Sequence, residues 1–87
     1  MRKFPKIEEN QVLLVRAENK TGIILDEKLE YLVNDNQKWC TVFSSLEYAK
    51  EQAILFVRRS NGNVECAIYD SKEELTLFID NNNIDQF

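Results

Sequence analysis

The sequence predicts one α+β domain: a mostly antiparallel sheet of about four to six strands, with one principal helix, about residues 45–60, packed on one face. Three observations predict it. Short apolar runs, Val12–Val15 and Ile23–Leu25, flank a turn cluster at Asn19-Lys20-Thr21-Gly22, as paired strands do. Leu46, Ala49, Ala53, Phe56 and Val57 recur at helical spacing. Val64, Cys66 and Ile68 alternate with Glu65, Ala67 and Tyr69, the pattern of a half-buried strand.

Taken in chain order, residues 1–10 are polar, contain Pro5 and read as an N-terminal arm. The two apolar runs come next. Between Asp26 and Gln37 two patterns compete: Leu25, Lys28, Leu29, Leu32 and Val33 trace a helical stripe, while Leu29, Tyr31 and Val33 alternate as a strand. The second pattern gives Asn34-Asp35-Asn36-Gln37 a role as a turn into Lys38–Phe43, and a hairpin is the expectation. Ser44 and Glu47 have the spacing of a capping box, which opens the principal helix. Asn61 and Gly62 close it with a left-handed residue. Its second half, Ala53–Val57, is apolar nearly all round and calls for cover by another segment of the chain or by a partner, internal cover being the expectation.

The end of the chain is again two-faced. Ser71 and Glu74 could cap a helix carrying Leu75, Phe78 and Ile79, whereas Leu75, Leu77 and Ile79 make one face of a strand. Thr76, Phe78 and Ile79 favour the strand. Residues 80–87 read as a frayed tail, and no internal repeat, linker or second domain is visible.

Charge and composition narrow the function classes. The formal net charge is −4, with +2 carried by residues 1–20 and −6 by the rest. Such a surface disfavours phosphate backbones and suits a basic protein partner. No apolar run approaches the roughly 20 residues that span a bilayer, and no secretory signal is present, so a cytoplasmic protein is expected. The Asn19-Lys20-Thr21 glycosylation match is then a chance one. Cys40 and Cys66 are distant in sequence and are expected as buried thiols in a reducing compartment.

The chain has no histidine, which removes imidazole acid–base chemistry and His-assisted nucleophiles. Two cysteines cannot make a four-thiolate zinc site, and Asp80-x-Asn82 lacks the glycine and length of a calcium loop, so no metal is expected. With glycine only at positions 22 and 62 there is no phosphate-cradling loop, and no cofactor is expected. Adjacent carboxylates such as Glu73-Glu74 read as solvated surface. Arg58-Arg59 sit in the last helical turn, where they oppose the negative end of its dipole. The expectation is therefore a protein that is not an enzyme.

Candidate partner-binding residues are Glu47 and Glu51, acidic neighbours on one helix; Tyr48 between them, which reads equally as core; and Trp39, an interface-prone aromatic that reads first as core. The segment Trp39–Ala53, WCTVFSSLEYAKEQA, looks like a strand-to-helix junction of small bacterial families. In size, acidity and richness in Asn, Glu and Lys the whole chain resembles small acidic bacterial toxin-immunity proteins and phage-encoded inhibitors. That resemblance implies a basic toxin or host enzyme as partner, met by acidic residues. The competing expectations are a homodimeric interaction or scaffold domain, joined through the apolar helix half or a strand edge, and a small-molecule sensor.

Overall fold

The computed structural model describes residues 3–87, so Met1 and Arg2 of the expected arm lie outside the described residues. The elements run β1 (Val12–Glu18), β2 (Ile24–Leu25), β3 (Cys40–Phe43), α1 (Leu46–Arg59), β4 (Val64–Tyr69), β5 (Leu75–Ile79) and a closing 3-10 turn, Ile84–Gln86. The fold is α+β as predicted: an antiparallel five-stranded sheet with α1 packed against one face.

β1 is the central strand, which explains its nearly unbroken apolar run. One edge of it pairs with β4, and β5 lies beyond. Its other edge pairs first with β2 and then with β3. The register passes from one to the other without a step: Ala17 opposes Ile24, Arg16 opposes Leu25, Val15 opposes Cys40 and Leu14 opposes Thr41. β2 and β3 are thus two pieces of one strand, and residues 26–39 are looped out between them.

The inward row of β1 is Val12, Leu14, Arg16 and Glu18, because side chains alternate between faces. Val12 and Leu14 join Leu25, Val64, Cys66, Ile68 and Ile79 against Ala49, Ala53 and Val57 of α1. The small alanines let the helix approach the sheet closely. On the opposite face Leu13 is fully buried, and its register partner Tyr69 is met edge-on by Phe4 with ring centroids 5.1 Å apart. Phe4 also meets Trp39 edge-on at 5.7 Å. The N-terminal arm therefore covers the outer face of the sheet.

The helix cap differs from the expectation by one residue. Ser45, not Ser44, is the N-cap, and its hydroxyl accepts from the Tyr48 amide at 3.0 Å. Glu47 consequently lies before the position at which a capping box would close. The C-terminus is a Schellman motif: the Gly62 amide reaches the Val57 carbonyl at 2.9 Å and the Asn61 amide the Arg58 carbonyl at 3.1 Å. Gly62 has φ +83°, and an added Cβ would sit 2.5 Å from Asn81 Oδ1.

The tail differs from the frayed end expected. Asn83 donates to the Phe78 carbonyl at 2.7 Å and accepts from the Asp80 amide at 2.9 Å, which seats Ile84 in the core. Within the two-faced segment 71–80, Leu75–Ile79 is strand β5 and residues 71–74 are the turn that leads into it.

Candidate functional site

The predicted contact residues fall into two places. Glu47, Tyr48 and Glu51 lie on the outward side of α1, joined there by the partly exposed Leu55, four residues beyond Glu51 on the same face. Tyr48 is 54% exposed and rests edge-on against Phe43. Trp39 is not with them. Through Phe4 it belongs to the arm on the face of the sheet opposite α1. The four residues therefore do not form one patch: Trp39 serves packing, and the helix trio faces solvent.

Apart from Trp39 at its far end, the looped-out segment, residues 26–39, carries no residue that the sequence marks as a site. The turn expected at Asn34–Gln37 is present, but it joins no paired strands; the reversal that closes a bridge is Asp26–Glu30. The return consists of a single bridge, Leu25 to Tyr31. Asp26 Oδ1 accepts from the amides of Lys28 at 2.9 Å and Glu30 at 3.0 Å, and Leu29 takes a left-handed conformation, φ 63°. The chain then turns back on Gln37. Its amide nitrogen donates to Asp26 Oδ2 at 2.7 Å and to the Tyr31 carbonyl at 2.9 Å. Its amide oxygen accepts from the amides of Val33 and Asn34. A loop of this length closed on its own side chains is an Ω-loop, a form that often carries function. Its apex residue Val33 is 81% exposed.

Arg16 ties the loop to the sheet. It stands on the inward row of β1 and is fully buried, and arginine is among the residue types least expected in a core. Its Nε donates to the Asp26 carbonyl at 3.1 Å, one foot of the loop, and its Nη1 to Thr41 Oγ1 at 2.8 Å, beside the other foot. The Phe56 ring lies 5.5 Å from the guanidinium carbon, a cation–π contact from α1. Nη2 has no hydrogen-bond partner among the described residues. Burial lowers the pKa of Arg16, but the group remains a cation at any ordinary pH. Burying a charge with no carboxylate bonded to it is costly. The cost is offset in part by these contacts, which hold together the two ends of a broken strand.

Where the loop leans toward the C-terminal end of α1, a groove opens. Leu25, Leu29 and Val64 make its apolar floor and Tyr31 one wall. Glu18, the last inward residue of β1 and the register partner of Val64, stands at its rim with Glu30. Tyr31 Oη donates to Glu18 Oε2 at 2.8 Å, and Thr21 Oγ1 donates to Oε1 at 2.8 Å. The bond from Tyr31 holds the Glu18 carboxyl below its ordinary pKa and raises that of the tyrosine. The Gln37 amide, followed by the Glu30 backbone amide, does the same for Asp26.

The thiols are not placed for chemistry. Cys66 is buried against α1 and its pKa is pushed up to about 12, chiefly by desolvation. Cys40 opposes Val15 and so points to the other face, and burial raises its pKa too. Both are free thiols. Among the described residues there is no cluster of His, Cys, Asp and Glu able to hold a metal ion, and no helix is long and apolar enough to cross a membrane. No protein-family model, curated protein or solved structure matches this chain.

Proposed function

We propose that this chain is a non-enzymatic protein-binding domain that occludes a basic surface on a partner, in the manner of an immunity protein or a phage-encoded inhibitor. The observation that carries the proposal is the outward face of α1, where Glu47, Tyr48, Glu51 and Leu55 are exposed side by side on a rigid element. Two carboxylates around an aromatic and an aliphatic side chain give electrostatic attraction at the rim and apolar contact at the centre, the division seen at protein interfaces. Their helix is fixed to the sheet by the core, so little order is lost on docking. A cytoplasmic setting accords with two thiols directed to opposite faces, which leaves each free of the other.

The test is capture of partners from the native lysate at low and at about 0.15 M salt. The wild-type chain is compared with a Glu47→Lys, Glu51→Lys variant. A basic protein that the wild type retains, that salt weakens, and whose association the variant slows about tenfold is the expected outcome. Equal capture by the variant, or recovery of the chain itself alone, would contradict the proposal.

A further inference from the structure

The groove beside the Ω-loop combines two properties that seldom coincide. Its floor, Leu25, Leu29 and Val64, is aliphatic, and its rim carries Glu18 and Glu30, with Tyr31 alongside. An apolar side chain would leave those carboxylates unused. A small inorganic cation would gain nothing from the floor. A side chain with a long aliphatic stem and a cationic head uses both, and Arg and Lys are the two that have this form.

We infer that this groove receives an arginine or lysine side chain from the surface of a basic protein partner. The stem lies along Leu25, Leu29 and Val64, and the cationic head reaches Glu18 and Glu30 next to the Tyr31 ring. The site is built in advance. Tyr31 and Thr21 fix the Glu18 carboxylate from two sides and keep it ionised, yet a carboxylate has acceptor sites beyond the two they occupy. Leu29 is held over the core in a left-handed conformation, and Arg16 pins the loop beneath it. The buried guanidinium of Arg16 thus positions the loop, while the external cation is recognised by the rim. This inference rests on the reading of the chain as a binder of basic proteins and names where on the molecule the specific contact is made.

The experiment uses tetra-arginine as probe, with tetra-citrulline, which keeps the stem and lacks the charge, and tetra-glutamate as controls. Binding to the intact chain is followed by NMR on the methyl groups of Leu25, Leu29 and Val64 and on the amides of α1. Saturable shifts at those methyls are expected with tetra-arginine and not with either control. The combined Glu18→Gln and Glu30→Gln replacements should weaken binding about fivefold, the size expected for exposed ion pairs. The glutamine at position 18 still offers an oxygen to Tyr31, and Glu30→Gln alone gives the same direction of change should the double variant be destabilised. Shifts confined to the Glu47 and Glu51 face of α1 would overturn the groove as the contact while leaving the acidic-binder reading intact. Absence of shifts everywhere, or equal binding of tetra-citrulline, would overturn the inference itself.

Discussion

The same five-residue turn occurs twice in this molecule and is put to different uses. Asp26-Glu27-Lys28-Leu29-Glu30 and Asp70-Ser71-Lys72-Glu73-Glu74 share the form Asp-x-Lys-x-Glu. In each the leading carboxylate accepts from the amides two and four residues on. In each the fourth residue has φ 63° and donates to the carbonyl of the first. The second copy joins β4 to β5, two strands that pair along several residues. The first joins β2 to a single bridge at Tyr31, after which the chain departs. Turn chemistry therefore decides the reversal, and the residues beyond the turn decide whether a strand forms. Leu-Thr-Leu-Phe-Ile after Glu74 is a β-forming run, whereas Tyr-Leu-Val-Asn-Asp-Asn-Gln after Glu30 runs out into turn formers. The left-handed position differs as well. Glu73 is exposed, but Leu29 packs against the core and floors the groove.

That contrast gives the largest expected effect. A left-handed conformation costs a residue with a Cβ about 1–2 kcal/mol, and glycine removes that cost at some expense in chain entropy. Glu73→Gly should therefore stabilise the fold by about 0.5–1 kcal/mol, because nothing is lost in packing. Leu29→Gly removes the same strain along with a half-buried side chain worth up to about 3 kcal/mol, and should destabilise by about 1–2 kcal/mol. Denaturant midpoints of the two variants should move in opposite directions. If both stabilised the chain, Leu29 would not be packed as described.

A smaller effect concerns the first turn alone. The carboxylate of Asp26, unlike that of Asp70, also accepts from the Gln37 side chain, and that bond is the chief cause of its lowered pKa. A group whose folded-state pKa is depressed contributes stability that is present above its unfolded pKa and lost as pH falls through the folded one. Acidification below the ordinary carboxylate range should thus loosen the Ω-loop. Gln37→Ala should raise the NMR titration midpoint of Asp26 and bring that loosening to higher pH. An unchanged midpoint would show that Gln37 does not close the loop.

Much of this architecture is legible in the sequence because it rests on patterns that physics makes visible. The alternation in Val64–Tyr69 and the stripe through Ala49, Ala53 and Val57 record one-sided burial, and both appear where expected. The loop is not legible in the same way. Leu29 looks like core in a helix or a strand, and its left-handed backbone leaves no mark in hydropathy. Arg16 looks like the polar end of an apolar run. Its one signal is parity with Val12 and Leu14, which places it on the inward row. The recurrence of Asp-x-Lys-x-Glu is a second signal, readable only once the turn is known to repeat. Trp39 is ambiguous between core and interface by its type alone, and only the position of Phe4 assigns it to packing. The tail misleads because its asparagines and aspartates resemble a solvated end, while Asn83 acts as a clasp.

The most direct test of the looped-out strand and its groove is to excise residues 26–39 and join Leu25 to Cys40, with Arg16→Leu so that no buried charge is stranded. Because Leu25 opposes Arg16 and Cys40 opposes Val15, the join should produce one continuous strand beside β1. An amide NMR spectrum of this chain, recorded with and without tetra-arginine, tests structure and site together. The expected result is a folded protein with residues 15 and 40 still paired and no response to the peptide. An unfolded chain would contradict the looped-out strand, and a folded chain that still binds the peptide would contradict the groove.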